Sequence, residues 1–270
     1  MFWTRLVSGI VLVAAALALI LTGGDVLLFG LLFVSLVGMF ELYRVFHIEK
    51  SLLGFCGYLA AVLYYMDLRA SFLLDSGMLM LGALIALMAV YVITYPKYKA
   101  EQVFAGFAGI SYVAAMLSCI YQTRALPAGA YTVWLIFLCS WGCDTCAYCV
   151  GVLIGKHKMA PKLSPKKSIE GAVGGALGTV LLTLLYGFLF RAPMGLSYKG
   201  VILLAVIAAA GAVVSMVGDL AASAIKRNYG VKDYGTLIPG HGGILDRFDS
   251  VIFTAPIVYY LARAFLVGGL

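Results

Sequence analysis

The sequence predicts an all-α, polytopic integral membrane protein of about nine transmembrane helices, with its N-terminus on the cytoplasmic side. Three observations carry this expectation: scarcity of charge, a succession of long apolar runs, and confinement of the basic residues to short segments between them. Of 270 residues, 63% are hydrophobic and 11% charged, with a mean hydropathy of +1.03. A soluble domain carries about 25% charged residues; so few charges cannot cover a globule in water, whereas lipid requires none. The 31 glycines fit as well, since small residues let transmembrane helices approach closely.

Apolar runs of about 17–25 residues are long enough to cross a bilayer as helices. Such runs fall at 5–22, 25–43, 52–66, 72–95, 102–121, 130–153, 169–190, 200–225 and 250–267. The third is short enough to be re-entrant. The first follows Arg5 and could be a signal peptide, but with no convincing cleavage site it reads as a retained helix. Orientation follows from the Lys/Arg bias. Most of the 19 basic residues fall on one side, with Arg5, Arg44, Lys50, Lys97, Lys99 and the 156–167 and 226–247 loops. That side is read as cytoplasmic. The net charge of +7 therefore marks membrane orientation and lipid headgroups, and nucleic acid is not expected as a partner. No polar linker divides the chain, so residues 1–270 are read as a single membrane-embedded domain.

An ionised carboxylate inside a span costs a few kcal/mol on insertion scales and marks function by default. Two such residues stand out. Asp144 lies within the sixth run, and Ser140, Asp144, Tyr148, Gly151 and Gly155 would share one helical face. Asp219 lies near the end of the eighth, where Ser215, Asp219, Ser223 and Lys226/Arg227 repeat along one stripe. Cys139, Cys143, Cys146 and Cys149 form a stripe on another flank. Thiols along one helix do not converge tetrahedrally, so packing is expected there and not a metal.

The loop Lys156-His157-Lys158-Met159-Ala160-Pro161-Lys162-Leu163-Ser164-Pro165-Lys166-Lys167-Ser168 abuts a helix start. Ser164 or Ser168 can cap that helix, and Glu170 complements its dipole. Lysines beside a helix N-terminus suit phosphate. Gly171, Gly174, Gly175 and Gly178 give overlapping GxxxG spacings, but no Gly-Lys-Ser/Thr follows. The segment is therefore a packing surface and not a nucleotide loop.

The most informative stretch is 223–249, which holds Ser223, Lys226-Arg227, Lys232-Asp233, Pro239-Gly240-His241-Gly242-Gly243 and Asp246-Arg247-Phe248-Asp249. Its glycines demand a tight turn with positive φ and exposed N–H groups. Asp246 and Asp249, three apart, share a face if the ninth helix begins near Ile244. Carboxylates beside Gly-Gly and Lys-Arg are what a Mg²⁺–polyphosphate site requires, with acidic oxygens for the ion and amides and cations for the phosphates.

On these residues the chain resembles the phosphatidate cytidylyltransferase (CDP-diacylglycerol synthase) family. Its signature runs Ser-x-x-Lys-Arg, Lys-Asp, Pro-x-His-Gly-Gly, Asp-Arg-x-Asp, and every fixed element stands here at the right spacing. An intramembrane Asp at Asp144 and Ser164-Pro-x-Lys-Ser/Thr-x-x-Gly171 add a second similar stretch. The first 130 residues match only in hydropathy, so residues 1–128 are read as N-terminal helices and 129–270 as the catalytic signature region. The resemblance implies transfer of CMP from CTP to phosphatidate, giving CDP-diacylglycerol and diphosphate with Mg²⁺, for phospholipid biosynthesis in the bacterial inner (plasma) membrane. It further implies a homodimer and a second, monovalent cation such as K⁺.

The expected assignments follow. Asp219 and Asp246 are the first choices as Mg²⁺ ligands, with Asp144 and Asp249 as further ligands or supporting groups. Lys226, Arg227, Lys232 and Arg247 neutralise phosphates, and Ser223 donates a hydrogen bond. Lys166, Lys167 and Ser168 hold either CTP phosphates or the lipid headgroup, and Gly242 and Gly243 present their amides. His241 serves the turn or donates a hydrogen bond. The rivals are a CTP-dependent lipid-alcohol (polyprenol-type) kinase and a membrane transporter. The intact Asp-Arg-x-Asp pattern disfavours the first; the transporter is disfavoured because no internal repeat is visible.

Overall fold

The computed structural model describes residues 2–70, 75–240 and 242–267. Its helices, numbered in chain order, are α1 (Phe2–Thr22), α2 (Gly24–Val45), α3 (Leu52–Arg69) and α4 (Ser76–Ile93). They continue with α5 (Ala100–Arg124) and α6 (Gly129–Ile154), then α7 (Ile169–Leu189), α8 (Tyr198–Asn228) and α9 (Leu245–Leu266). Between α6 and α7 lies a hairpin of β1 (Lys158–Ala160) and β2 (Ser164–Ser168), paired antiparallel as Lys158 with Ser168 and Ala160 with Ser164. Helices thus fall on all the apolar runs, and the polar segment at 156–168 contains a hairpin that hydropathy does not reveal.

Among the described residues, seven helices are long and apolar enough to cross a bilayer: α2 and α4 to α9. This criterion does not reach the expected nine. The criterion, applied to the described side chains, takes in only Val7–Thr22 of α1, and α3 carries Tyr58, Tyr64, Tyr65, Asp67 and Arg69. The fold is that of an all-α polytopic membrane protein. α7 shows why: Gly171, Gly175, Thr179, Thr183 and Gly187 are buried, while Val173, Leu177, Leu181 and Leu185 are exposed. Small residues turned inward and leucines outward suit lipid as the solvent.

The chain divides into two compact units. The first comprises residues up to Tyr121 with Tyr229–Arg247, and the second Gln122–Asn228 with the chain from Phe248 on. In the first, α2, α3 and α5 pack through buried tyrosines. Tyr43 donates to the Gly106 carbonyl at 2.6 Å, and the hydroxyls of Tyr65 and Ser35 meet at 2.9 Å. A phenol buried in a span must find such a partner, because no water is there to serve it.

In the second unit, glycines of α7 lie against side chains of α6. A Cβ on Gly174 would stand 2.5 Å from Val150, and one on Gly178 would stand 2.7 Å from Cys146. This is the packing expected from the GxxxG spacing. α8 approaches through Gly211 against Cys139 and Gly218 against Phe253. Cys139 and Cys143 are buried, and all six cysteines are free thiols. Cys139, Cys143 and Cys146 therefore pack against glycines of neighbouring helices, while Cys149 at the end of the stripe is exposed.

Candidate active site

In the second unit, a cavity of about 430 Å³ collects several of the expected residues. α6 supplies Asp144, Ala147, Tyr148 and Gly151, α8 supplies Met216 and Asp219, and the hairpin supplies Met159, Lys166, Lys167 and Ser168. The Lys167 ammonium is ion-paired with the Asp219 carboxylate, and their side chains are 28% and 23% exposed. Lys167 is held there by its neighbour. Ser168 is the N-cap of α7, its Oγ accepting from the Gly171 N–H at 3.1 Å. Glu170 binds the N–H groups of Lys156 and His157, which closes the base of the hairpin. Ser164, the other candidate cap, sits at the start of β2 instead.

Ser140 does not join Asp144 in the cavity lining. A π-helical turn at Leu138–Gly142 inserts one residue's worth of rotation between them. Ser140 is buried and bonds back to the Ile136 carbonyl at 2.9 Å. Tyr148 and Gly151, beyond the π turn, keep the face with Asp144.

A buried charge cluster extends from these residues. Asp249 and Lys226 are each only 9% exposed, and Asp249 interacts electrostatically with Asp219, Lys226 and Asp144. Ser250 links two of these carboxylates: its N–H donates to Asp249 at 2.8 Å and its hydroxyl to Asp144 at 3.5 Å. Gly218 admits this arrangement, because a Cβ there would stand 2.9 Å from the Asp249 carbonyl oxygen. Ser223 is half-buried one turn before Lys226, and Arg227 is exposed at the end of α8. Buried carboxylates survive only beside cations and hydrogen-bond donors. Asp249 has both within this unit, with Lys226 as the cation and the Ser250 N–H as the donor, while Asp144 and Asp219 are half-buried beside it.

The signature loop belongs to the first unit. Gly240 and Gly242 adopt φ of 80° and 89°, and the Ile238 N–H donates to the Gly242 carbonyl at 2.8 Å. The tight turn expected from Pro239-Gly240 onward is therefore present. His241 lies outside the described residues. α9 begins at Leu245, close to the expected Ile244. Asp246, 6% exposed, accepts at Oδ2 from the N–H groups of Tyr234 (2.8 Å), Gly243 (3.0 Å) and Gly235 (3.4 Å). This oxygen of the expected metal ligand is committed to the loop. Lys232 is exposed and Arg247 half-buried.

Sequence reasoning missed Glu41. Only 3% exposed on α2, it accepts from the N–H groups of Ile244 and Leu245 at 3.1 and 2.8 Å. A carboxylate inside the second apolar run was the signal, of the same kind that singled out Asp144.

The donor set suits a hard cation. Asp144, Asp219 and Asp249 offer carboxylate oxygens, with no thiolate or imidazole among them. Among the described residues, no group of three His, Cys, Asp or Glu stands ready to hold a metal. Mg²⁺ does not require one, since it is usually bound by one or two carboxylates together with water and substrate phosphates. The residues therefore fit an ion whose coordination water and phosphate oxygens would complete.

Taken together, the apolar helices and this cavity of lysines and carboxylates define a membrane protein with a charged cavity among its helices. Residues 3–265 match the cytidylyltransferase family. A phosphatidate cytidylyltransferase of Bacillus subtilis (strain 168) is 32% identical over 272 residues, covering 97% of each chain. One of Staphylococcus haemolyticus (strain JCSC1435) is 31% identical over 262 residues, 95% of this chain and 97% of its own. One of Brucella suis biovar 1 is 33% identical over 194 residues, 72% of this chain and 69% of its own. The chain belongs to the cytidylyltransferase family.

Proposed function

We propose that this protein is a phosphatidate cytidylyltransferase, which converts CTP and phosphatidate into CDP-diacylglycerol and diphosphate in the bacterial plasma membrane. The observation that carries this reading is the mixed lining of the cavity. Lys166, Lys167, Ser168, Asp144 and Asp219 share one space with Tyr148, Val152, Met159 and Met216. A phosphate on an acyl-bearing lipid needs both kinds of wall, and about 430 Å³ lies within the range of small-molecule sites.

A phosphate monoester has its second pKa at about 6, so phosphatidate is mostly a dianion at neutral pH and needs no general base. Its phosphate oxygen attacks the α-phosphorus of CTP. The bond from the α-phosphorus to the bridging oxygen breaks, and diphosphate leaves with that electron pair. The protein's task is to hold two anions together and to stabilise the leaving charge. Lys166 and Lys167 bind phosphate oxygens in the cavity, and Ser168, by capping α7, fixes where Lys167 points. Lys226 and Arg227 add positive charge along α8, and Ser223 a hydroxyl. Asp144, Asp219 and Asp249 would hold Mg²⁺, which supplies charge neutralisation on the triphosphate when bound.

The reading includes nine spans, with α1 and α3 also crossing, and a cytoplasmic N-terminus. The excess of Lys and Arg in the 156–167 and 226–247 loops supports that orientation. The single-domain reading rests on the lack of a polar linker in the chain, and the homodimer and a monovalent cation are what the family resemblance implies. Purified protein given Mg²⁺, phosphatidate and CTP labelled at the α-phosphate should yield labelled liponucleotide and unlabelled diphosphate. Transfer of a γ-label to lipid would instead establish a kinase.

A further inference from the structure

The signature loop is held by an element outside the signature. α9 starts after Gly242-Gly243-Ile244, a sequence with no side chain able to accept from the first amides of the helix. Those amides require acceptors, and Glu41 of α2 supplies them, taking Ile244 and Leu245 on separate carboxylate oxygens. Arg44, one turn further along α2, donates to the Tyr234 carbonyl at 2.5 Å. Just beyond the helix, Phe46 packs against Tyr229 with ring centroids 4.6 Å apart and the planes tilted by 58°. The end of α2 therefore grips the loop at its start, near its middle and at its exit into α9. Gly235 and Gly243 close the grip, because a Cβ on either would collide with the Glu41 carboxylate. Asp246 binds amides of the same two glycines from the first turn of α9.

We propose that Glu41 is a positioning residue for the cytidylyl transfer: it caps α9 from a neighbouring helix and so fixes the register in which the Gly242–Arg247 segment is presented. The proposal rests on the function proposed above. It also explains why a carboxylate is kept within an apolar helix, where it costs a few kcal/mol unless satisfied.

The test uses the full-length protein in detergent micelles, with steady-state kinetics and amide hydrogen exchange measured on the same preparations. Glu41→Ala should speed exchange across 242–246 by roughly 10- to 100-fold, as befits loss of two hydrogen bonds to a charged acceptor. Exchange in the middle of α2 should not change. kcat should fall by about tenfold or more while the KM for CTP stays within about threefold, the split expected when a bound substrate meets a misplaced loop. Glu41→Gln, whose amide oxygen can still accept, should lie between wild type and Ala on both readouts.

Unchanged exchange at 242–246, or a kcat that does not follow the order Glu, Gln, Ala, overturns the proposal. Should Glu41→Ala fail to accumulate in the membrane, Gly235→Ala, which crowds the same carboxylate from the loop side, must produce the paired change in exchange and kcat. If the wild-type protein makes no liponucleotide, the proposed function fails, while the exchange order still decides whether Glu41 holds the loop.

Discussion

Replacing Lys167 by Ala separates a catalytic cation from a structural one. Its ammonium pairs with Asp219 inside the cavity, yet the two side chains remain 28% and 23% exposed. Solvent screening at that exposure limits the pair to about 0–1 kcal/mol of stability. For a chain of this size the expected loss in Tm is then no more than about 2–4 °C. Against a substrate phosphate the same charge counts for more. Losing one positioned electrostatic group at the reacting centre costs about 10²–10³ in rate. Lys167→Ala should therefore keep nearly all its thermal stability in detergent while kcat/KM falls at least about 100-fold. The assay is transfer of α-labelled CMP to phosphatidate, run beside a thermal melt of each preparation. Lys167→Arg should recover part of the loss. A double variant, Lys167→Ala with Asp219→Ala, should be worse than either single change, because each side chain has its own task toward substrate. If the ion pair merely holds α8 to the hairpin, the double variant will match the worse single one. That result, or a Lys167→Ala enzyme within about threefold of wild type, refutes the assignment.

Three further expectations can be checked on the same material. Asp246→Ala leaves the amides of Tyr234, Gly235 and Gly243 without their carboxylate oxygen. At about 1–3 kcal/mol for each buried donor left unsatisfied, the 229–247 loop should become sensitive to limited proteolysis and activity should be lost. Gly174→Val forces a side chain to within 2.5 Å of Val150, and such overpacking costs about 1–3 kcal/mol, read as a lowered Tm in detergent. Removing Mg²⁺ with a chelator should abolish CMP transfer, and adding Mg²⁺ back should restore it.

Local chemistry made much of this protein legible before its fold was known. Gly240 and Gly242 announced a turn that needs positive φ, and Ser168 announced a cap; both stand where the residue types require. Asp144 and Asp219 were found because charge inside an apolar run is costly, and they line one cavity. Glu41 carries the same signal, but its place near the end of a run resembles a residue snorkelling to the interface. Only the fold reveals that it serves amides 203 and 204 positions away. The hairpin at 158–168 was hidden for a different reason. Lys and Pro are poor strand formers, and the base of this hairpin is closed from outside it by Glu170, which accepts from the Lys156 and His157 N–H groups. Ser140 was misaligned because helical periodicity assumes an unbroken α-helix, and a π turn breaks the count. Nor could contiguity show that 229–247 belongs to the unit of the N-terminal helices while the residues on either side belong to the second.

Part of the cavity floor is made of residues with little or nothing beyond the backbone: Ala147, Gly151, Gly171 and Ala172. Ala147 and Gly171 also belong to the contact between α6 and α7, where a Cβ on Gly171 would stand 2.8 Å from the Ala147 carbonyl oxygen. The room offered to a guest molecule and the spacing of two helices are thus one dimension of the molecule. Attempts to widen the chamber by trimming side chains on that floor will find almost nothing to trim. Greater capacity there can come only from moving a helix.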